Sequence, residues 1–153
     1  MQRIISSKPF GLLDCIRYDD GTGTLSDYWT NTSLLTRNDD GTTTLTASNY
    51  AKSNFKVSGS PTIAFTDGMT VEFDIIEVEG SPNVNGNDGS DRLISLNTTG
   101  HYKIVFKDNQ MSVSVNDGTP TTTAFNTSVS TFNVGFRSPS GNCNLKFDNF
   151  LMY

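Results

Sequence analysis

Tyr102–Gly118 reads Y-K-I-V-F-K-D-N-Q-M-S-V-S-V-N-D-G. Apolar residues alternate with polar ones on both sides of Asp108-Asn109, with Val105 the one apolar residue out of phase. A two-residue turn there pairs Phe106 with Met111, Ile104 with Val113 and Tyr102 with Val115. All six then lie on one face, because side chains alternate across a strand. Asp and Asn tolerate the positive φ angles of a type I′ turn. The stretch therefore predicts an antiparallel sheet with one buried face.

The rest of the chain is of the same kind. Its 153 residues are 35% hydrophobic and include 10 phenylalanines, enough for a hydrophobic core. Thr, Ser, Asn and Gly make up roughly 40% of it, far above ordinary usage. Thr and Phe suit strands, and Asn, Gly and Ser suit turns. No stretch holds a helical period with caps. Short strands recur every eight to twelve residues with turn signals between them, the pattern of a sandwich or jelly roll.

Residues 1–9 read as an irregular lead-in to a single domain over 1–153. Strands are predicted at 10–18, 34–38, 43–48, 62–65, 69–79, 92–97, 121–125, 131–137 and 144–153, besides the 102–115 hairpin and an edge strand within 49–60. Leu25–Thr30 is a loop or a single helical turn, and Gly80–Asp91 is the one long polar loop. The first and last strands are expected to be adjacent.

Three segments resemble the concanavalin A-like lectin/glucanase jelly rolls, which include laminin-G-like domains. They are 101–118, 132–137 with its G-F-R ending, and L-K-F-D-N-F-L-M-Y at 145–153. Y-D-D-G-T-G-T-L-S-D-Y-W at 18–29 resembles the opening of that family. The resemblance implies an all-β fold of two antiparallel sheets. It also makes calcium a common ligand.

Several chemistries are excluded. Net charge is −5 and no Lys/Arg cluster forms, so a nucleic-acid partner is disfavoured. No apolar run reaches membrane-spanning length, and the first residues are too short of apolar content for a signal peptide. Two cysteines, Cys15 and Cys143, and one histidine cannot build a zinc cage. The cysteine pair could close a disulfide or stay as two buried thiols. His101 has no evident Ser or Cys partner, which disfavours a hydrolase triad.

Other residues could carry chemistry. In E-F-D-I-I-E (72–77) the alternation of Val71, Phe73 and Ile75 fails at Ile76 and resumes at Val78. A β-bulge at Ile75-Ile76 restores it and places Glu72, Asp74, Glu77 and Glu79 on the face opposite the core. Such a row is either an ordinary wet face or a catalytic strand. The spacing E-x-D-x-x-E resembles that of laminarinase-type β-glucanases, which would make Glu72 the nucleophile and Glu77 the acid/base of a retaining hydrolase. That reaction needs carboxylates about 5 Å apart. Tyr28, Trp29, Tyr50, His101 and Tyr102 are aromatic groups of the kind that stack on a pyranose, although a Trp near the first turn can equally plug the core and the hairpin register turns Tyr102 inward. Asn85, Asn87, Asp88 and Asp91 offer oxygens to calcium, or form a solvated loop.

These features favour a non-catalytic recognition module that binds a glycan or cell-surface polymer through Tyr28, Trp29, Tyr50, Glu72 and Asp74. The composition suits a phage tail, another virion part or an extracellular assembly, with homo-oligomers possible. A structural spacer without ligand and a small retaining glycoside hydrolase are the alternatives.

Overall fold

The computed structural model describes residues 16–153. Its elements in chain order begin with β1 (Arg17–Asp19), α1 (Leu25–Tyr28), β2 (Leu35–Arg37), β3 (Thr43–Ala47), β4 (Lys52–Asn54), β5 (Ile63–Ala64) and β6 (Met69–Glu79). There follow β7 (Asn83–Asn87), β8 (Asp91–Ser95), β9 (Gly100–Lys107), β10 (Gln110–Val115), β11 (Thr121–Ala124), β12 (Thr131–Arg137) and β13 (Cys143–Met152). The strands form an antiparallel jelly-roll sandwich of two sheets.

The larger sheet has the order β11-β10-β9-β6-β13-β3-β2, with β1 also on β13. The smaller runs β4-β12-β7-β8, with β5 on β12. The first described strand and the last are neighbours, Arg17 opposite Met152, as expected. Cys15, the lead-in and most of the first predicted strand lie outside the described residues. Cys143 is buried.

The 102–115 hairpin forms in the register its alternation dictates. Phe106 faces Met111, Ile104 faces Val113 and Tyr102 faces Val115. Asp108 and Asn109 take φ of 54° and 60°, as a type I′ turn requires. The bulge in β6 is also present: pairing with β13 passes from Glu77–Lys146 to Ile75–Phe147 and skips Ile76. Ile75 is buried and Ile76 is 44% exposed. Val71, Phe73 and Ile75 therefore point inward, and Glu72, Asp74, Glu77 and Glu79 line the outer face.

Two expectations are corrected here. Gly80–Asp91 is not a long loop, because β7 occupies Asn83–Asn87 and pairs with both β8 and β12. The stretch N-V-N-G-N alternates, with Val84 and Gly86 inward. A Cβ on Gly86 would stand 2.7 Å from the Phe106 ring and 2.8 Å from Met111 Sδ, so glycine lets the opposite sheet approach. Trp29 is core rather than a sugar platform. It is 1% exposed, stacked on Phe136 at 5.7 Å and edge-on to Phe55, Phe147 and Phe150. Burial of so large a ring against four aromatic partners outweighs any surface role, since each such pair adds about 0.5–1.5 kcal/mol beyond the buried area. Its Nε1–H donates to buried Asp19 at 2.7 Å, and Asp19 in turn accepts two bonds from Arg37 at 2.8 and 2.9 Å.

Candidate functional site

The outer face of the larger sheet carries one continuous polar network. Antiparallel register sets Asp74 of β6 directly opposite His101 of β9, and cross-strand partners share a face. Glu72, two residues before Asp74, emerges beside it. The His101 imidazole lies between the two acids: Nδ1 is 2.7 Å from Asp74 Oδ1 and Nε2 is 2.6 Å from Glu72 Oε1. His101 is held from behind by Asn116, whose Oδ1 accepts its backbone N–H at 2.9 Å.

β13 completes the network from the other side. Its ladder with β6 is irregular between Asp148 and Leu151, where Asn149 takes a φ of 54°. The kink turns Asn149 outward, and its Nδ2 donates to Asp74 Oδ2 at 2.8 Å. Tyr18 of β1 donates to Asn149 Oδ1 at 2.8 Å. Tyr153, just past β13, is tied by two backbone bonds to Thr70, and its hydroxyl donates to Glu72 Oε2.

The electrostatics follow from this geometry. Partial burial disfavours a charged imidazole, but hydrogen bonds and charges from Asp74 and Glu72 more than offset it and raise the His101 pKa above its ordinary 6.5. Both ring nitrogens face carboxylates, so both are donors in the favoured imidazolium form. Burial, and then the Glu72 carboxylate, push the Tyr153 hydroxyl well above its ordinary value. Tyr153 therefore stays protonated as a donor. His101 remains 45% exposed and reachable from solvent.

Two depressions flank the cluster on the same face. One of about 270 Å³ is lined by Thr44, Glu77, Glu79, Asn144 and Lys146. The other, about 280 Å³, is lined by Lys103, Val105, Ser112, Ser114 and Pro120, among others. Along the strand the backbones of Glu72 and Asp74 stand about 6.6 Å apart, and the His101 ring fills the space between their carboxylates. Glu72 and Glu77, with one residue bulged out between them, are separated by about 13 Å of strand. The two do not share a hydrogen-bonded cluster, since Glu77 lines the neighbouring depression.

The other residues singled out from sequence fall elsewhere. Tyr28 has Arg17 over its ring at 4.1 Å and packs against the core, so one face is already covered. Tyr50 is 54% exposed, on the far side of the sandwich. The proposed calcium ligands do not form a cage. Asn85 and Asn87 turn their Nδ2 donors, not their oxygens, to Asp91 Oδ1, both at 2.9 Å. Asp88 is engaged by Arg92 and the Asn126 N–H. No group of three or more metal-binding side chains occurs among the described residues.

Sequence reasoning found Glu72, Asp74 and His101 separately and missed Tyr18, Asn149 and Tyr153. The signal for Tyr153 was available: Phe150 and Met152 point inward, which leaves Leu151 and Tyr153 on the outer face.

No family model matches the chain, and no curated protein matches it in sequence. Solved structures match its fold. An alginate lyase from Corynebacterium sp. superimposes with a TM-score of 0.55 at 13% identity, over 84% of this chain and 94% of that one. Alginate lyase AlgAT5 from Polysaccharide Lyase family 7 gives 0.54 at 13% identity, over 80% and 83%. A sialidase gives 0.50 at 14% identity over 76% of this chain, which spans only 16% of that protein. At these identities the likeness is one of fold. It nevertheless overturns the expectation of a non-catalytic module, which took the acidic strand for an ordinary wet face: these matching structures are named as alginate lyases and a sialidase.

Proposed function

We propose that the chain is a polysaccharide-cleaving enzyme that lays its glycan across the outer face of the larger sheet and breaks a glycosidic bond beside His101. The observation that carries this reading is the imidazole seated between Glu72 and Asp74. It is a proton donor of raised pKa, solvent-accessible, next to two carboxylates able to accept a proton. The imidazole bridges the two carboxylates, so the cluster acts as one proton-transfer unit on a single side of the sugar. Asn149 orients Asp74, and Tyr153 holds Glu72. The flanking depressions supply length for sugars on either side of the cleaved bond.

The test is incubation with alginate and with neutral β-glucans. New reducing ends report any cleavage, and ultraviolet absorbance of an unsaturated uronide reports elimination alone. New reducing ends are expected, falling about 10²-fold or more in His101→Gln with the fold unchanged by circular dichroism, and the absorbance decides between hydrolysis and elimination. The same activity in His101→Gln as in the parent protein would sink the assignment.

A further inference from the structure

A second cluster lies on the opposite side of the sandwich, on the outer face of the smaller sheet. Its centre is Tyr50, in the turn between β3 and β4. Ala51 N donates to Ser48 O across that turn, and Asn49 and Tyr50 both take positive φ, 56° and 62°. Glycine is the ordinary occupant of the second such position, and a bulky residue there is strained. The strain is not compensated by burial, since the side chain is 54% exposed. An aromatic ring kept in an unfavourable backbone state and turned to solvent points to a role outside the fold.

The surroundings indicate what the ring would meet. The Arg137 guanidinium lies over it at 4.8 Å. Arg137 sits opposite Lys52 in the β12–β4 register. Lys52 Nζ reaches Asp91 Oδ1 at 2.7 Å, and Arg137 Nε approaches Asp91 Oδ2 at only 3.6 Å. That Nε has no hydrogen-bond partner among the described residues. The patch thus combines an exposed aromatic ring, one face of it covered by Arg137, with charged donors and the Asp91 Oδ2 acceptor, which among the described residues only Arg137 approaches. Pyranose rings fit this chemistry, presenting an apolar C–H face to an aromatic ring and hydroxyls that both donate and accept.

We infer that Tyr50, with Arg137, Lys52 and Asp91, forms a second glycan-binding site, distinct from the His101 cluster and on the opposite face. The choice of glycan as ligand rests on the reading of the chain as a polysaccharide-cleaving enzyme.

The experiment is isothermal titration of the His101→Gln protein with cellohexaose, laminarihexaose, mannohexaose and xylohexaose. Two sites are expected for at least one of them. Tyr50→Ala removes one, Tyr50→Trp keeps it, and Tyr50→Gly removes it while leaving Tm equal or higher, because glycine relieves the turn. A merely structural tyrosine would instead lower Tm in Tyr50→Gly. Binding to all four sugars undiminished by Tyr50→Ala, or no binding to any, overturns the inference. The readout uses a protein that need not cleave anything, so this site and the cleavage reading fail separately.

Discussion

At the scale of single residues, the buried acid Asp19 is the most consequential structural group. It accepts the Trp29 indole N–H and a two-pronged contact from Arg37 while nearly excluded from water. Removing one member of a buried pair strands the other charge, which costs about 3–5 kcal/mol. Asp19→Ala is therefore expected to lower the unfolding free energy by about that much in urea titration, with an accompanying change in Trp29 fluorescence. A loss below about 1 kcal/mol would mean that Arg37 and Trp29 find other partners. The segment Y-D-D-G-T-G-T-L-S-D-Y-W was legible as an Asp…Trp unit. That Trp29 turns inward was not, because one Trp beside a turn suits a core plug and a binding platform equally. Four aromatic neighbours from distant strands, or a sugar, would satisfy it, and only tertiary structure decides.

At the scale of elements, alternation made most strands readable. The β9–β10 hairpin and the bulged β6 follow from the period of their apolar residues alone, and the extra isoleucine is visible as a break in phase. β7 escaped because asparagine and glycine usually mark turns. Its own alternation, with Val84 and Gly86 inward, carried the strand signal. The glycine is tied to its partners: with Phe106 and Met111 closing on it, Gly86→Ala is expected to cost about 1–3 kcal/mol through overpacking. A chemical-denaturation series checks this, and an unchanged midpoint would mean that Met111 swings aside freely. The site was half legible for a related reason. Alternation puts Glu72 and Asp74 on the outer face. Their union with His101, Asn149, Tyr18 and Tyr153 depends on strand order, with β6 between β9 and β13, and no local pattern encodes which strands are neighbours.

At the scale of the whole molecule, the two polar clusters set opposite limits on stability against pH. His101 has a folded pKa above its unfolded 6.5. Its contribution is present below pH 6.5 and is lost as pH rises through the folded value. Asp91 behaves in the other sense. Burial alone would raise it, but hydrogen bonds from Lys52, Asn85 and Asn87, with the Lys52 charge, hold it at about 2 against an ordinary 3.8. Its contribution is present above pH 3.8 and is lost as pH falls toward 2. Stability measured by urea unfolding across pH is thus expected to be greatest between these limits. His101→Gln should flatten the alkaline limb and Asp91→Asn the acid limb. An alkaline limb that keeps its slope in His101→Gln would assign it to another group.

The position of β13 also governs how the chain can acquire this shape. β13 is the last of the described strands, yet it lies inside the larger sheet, against β6 along one edge and against β3 and then β1 along the other. A nascent chain leaving the ribosome has already exposed β1, β3 and β6 before their shared partner exists. Each presents an unpaired edge during that interval, and the closing contacts join residues as far apart in sequence as Arg17 and Met152. Sheets closed by such distant pairs assemble slowly, in milliseconds to seconds, and expose adhesive edges until the last strand docks. The strand that places Asn149 and Tyr153 in the site is thus also the one whose late arrival sets the risk of aggregation during synthesis.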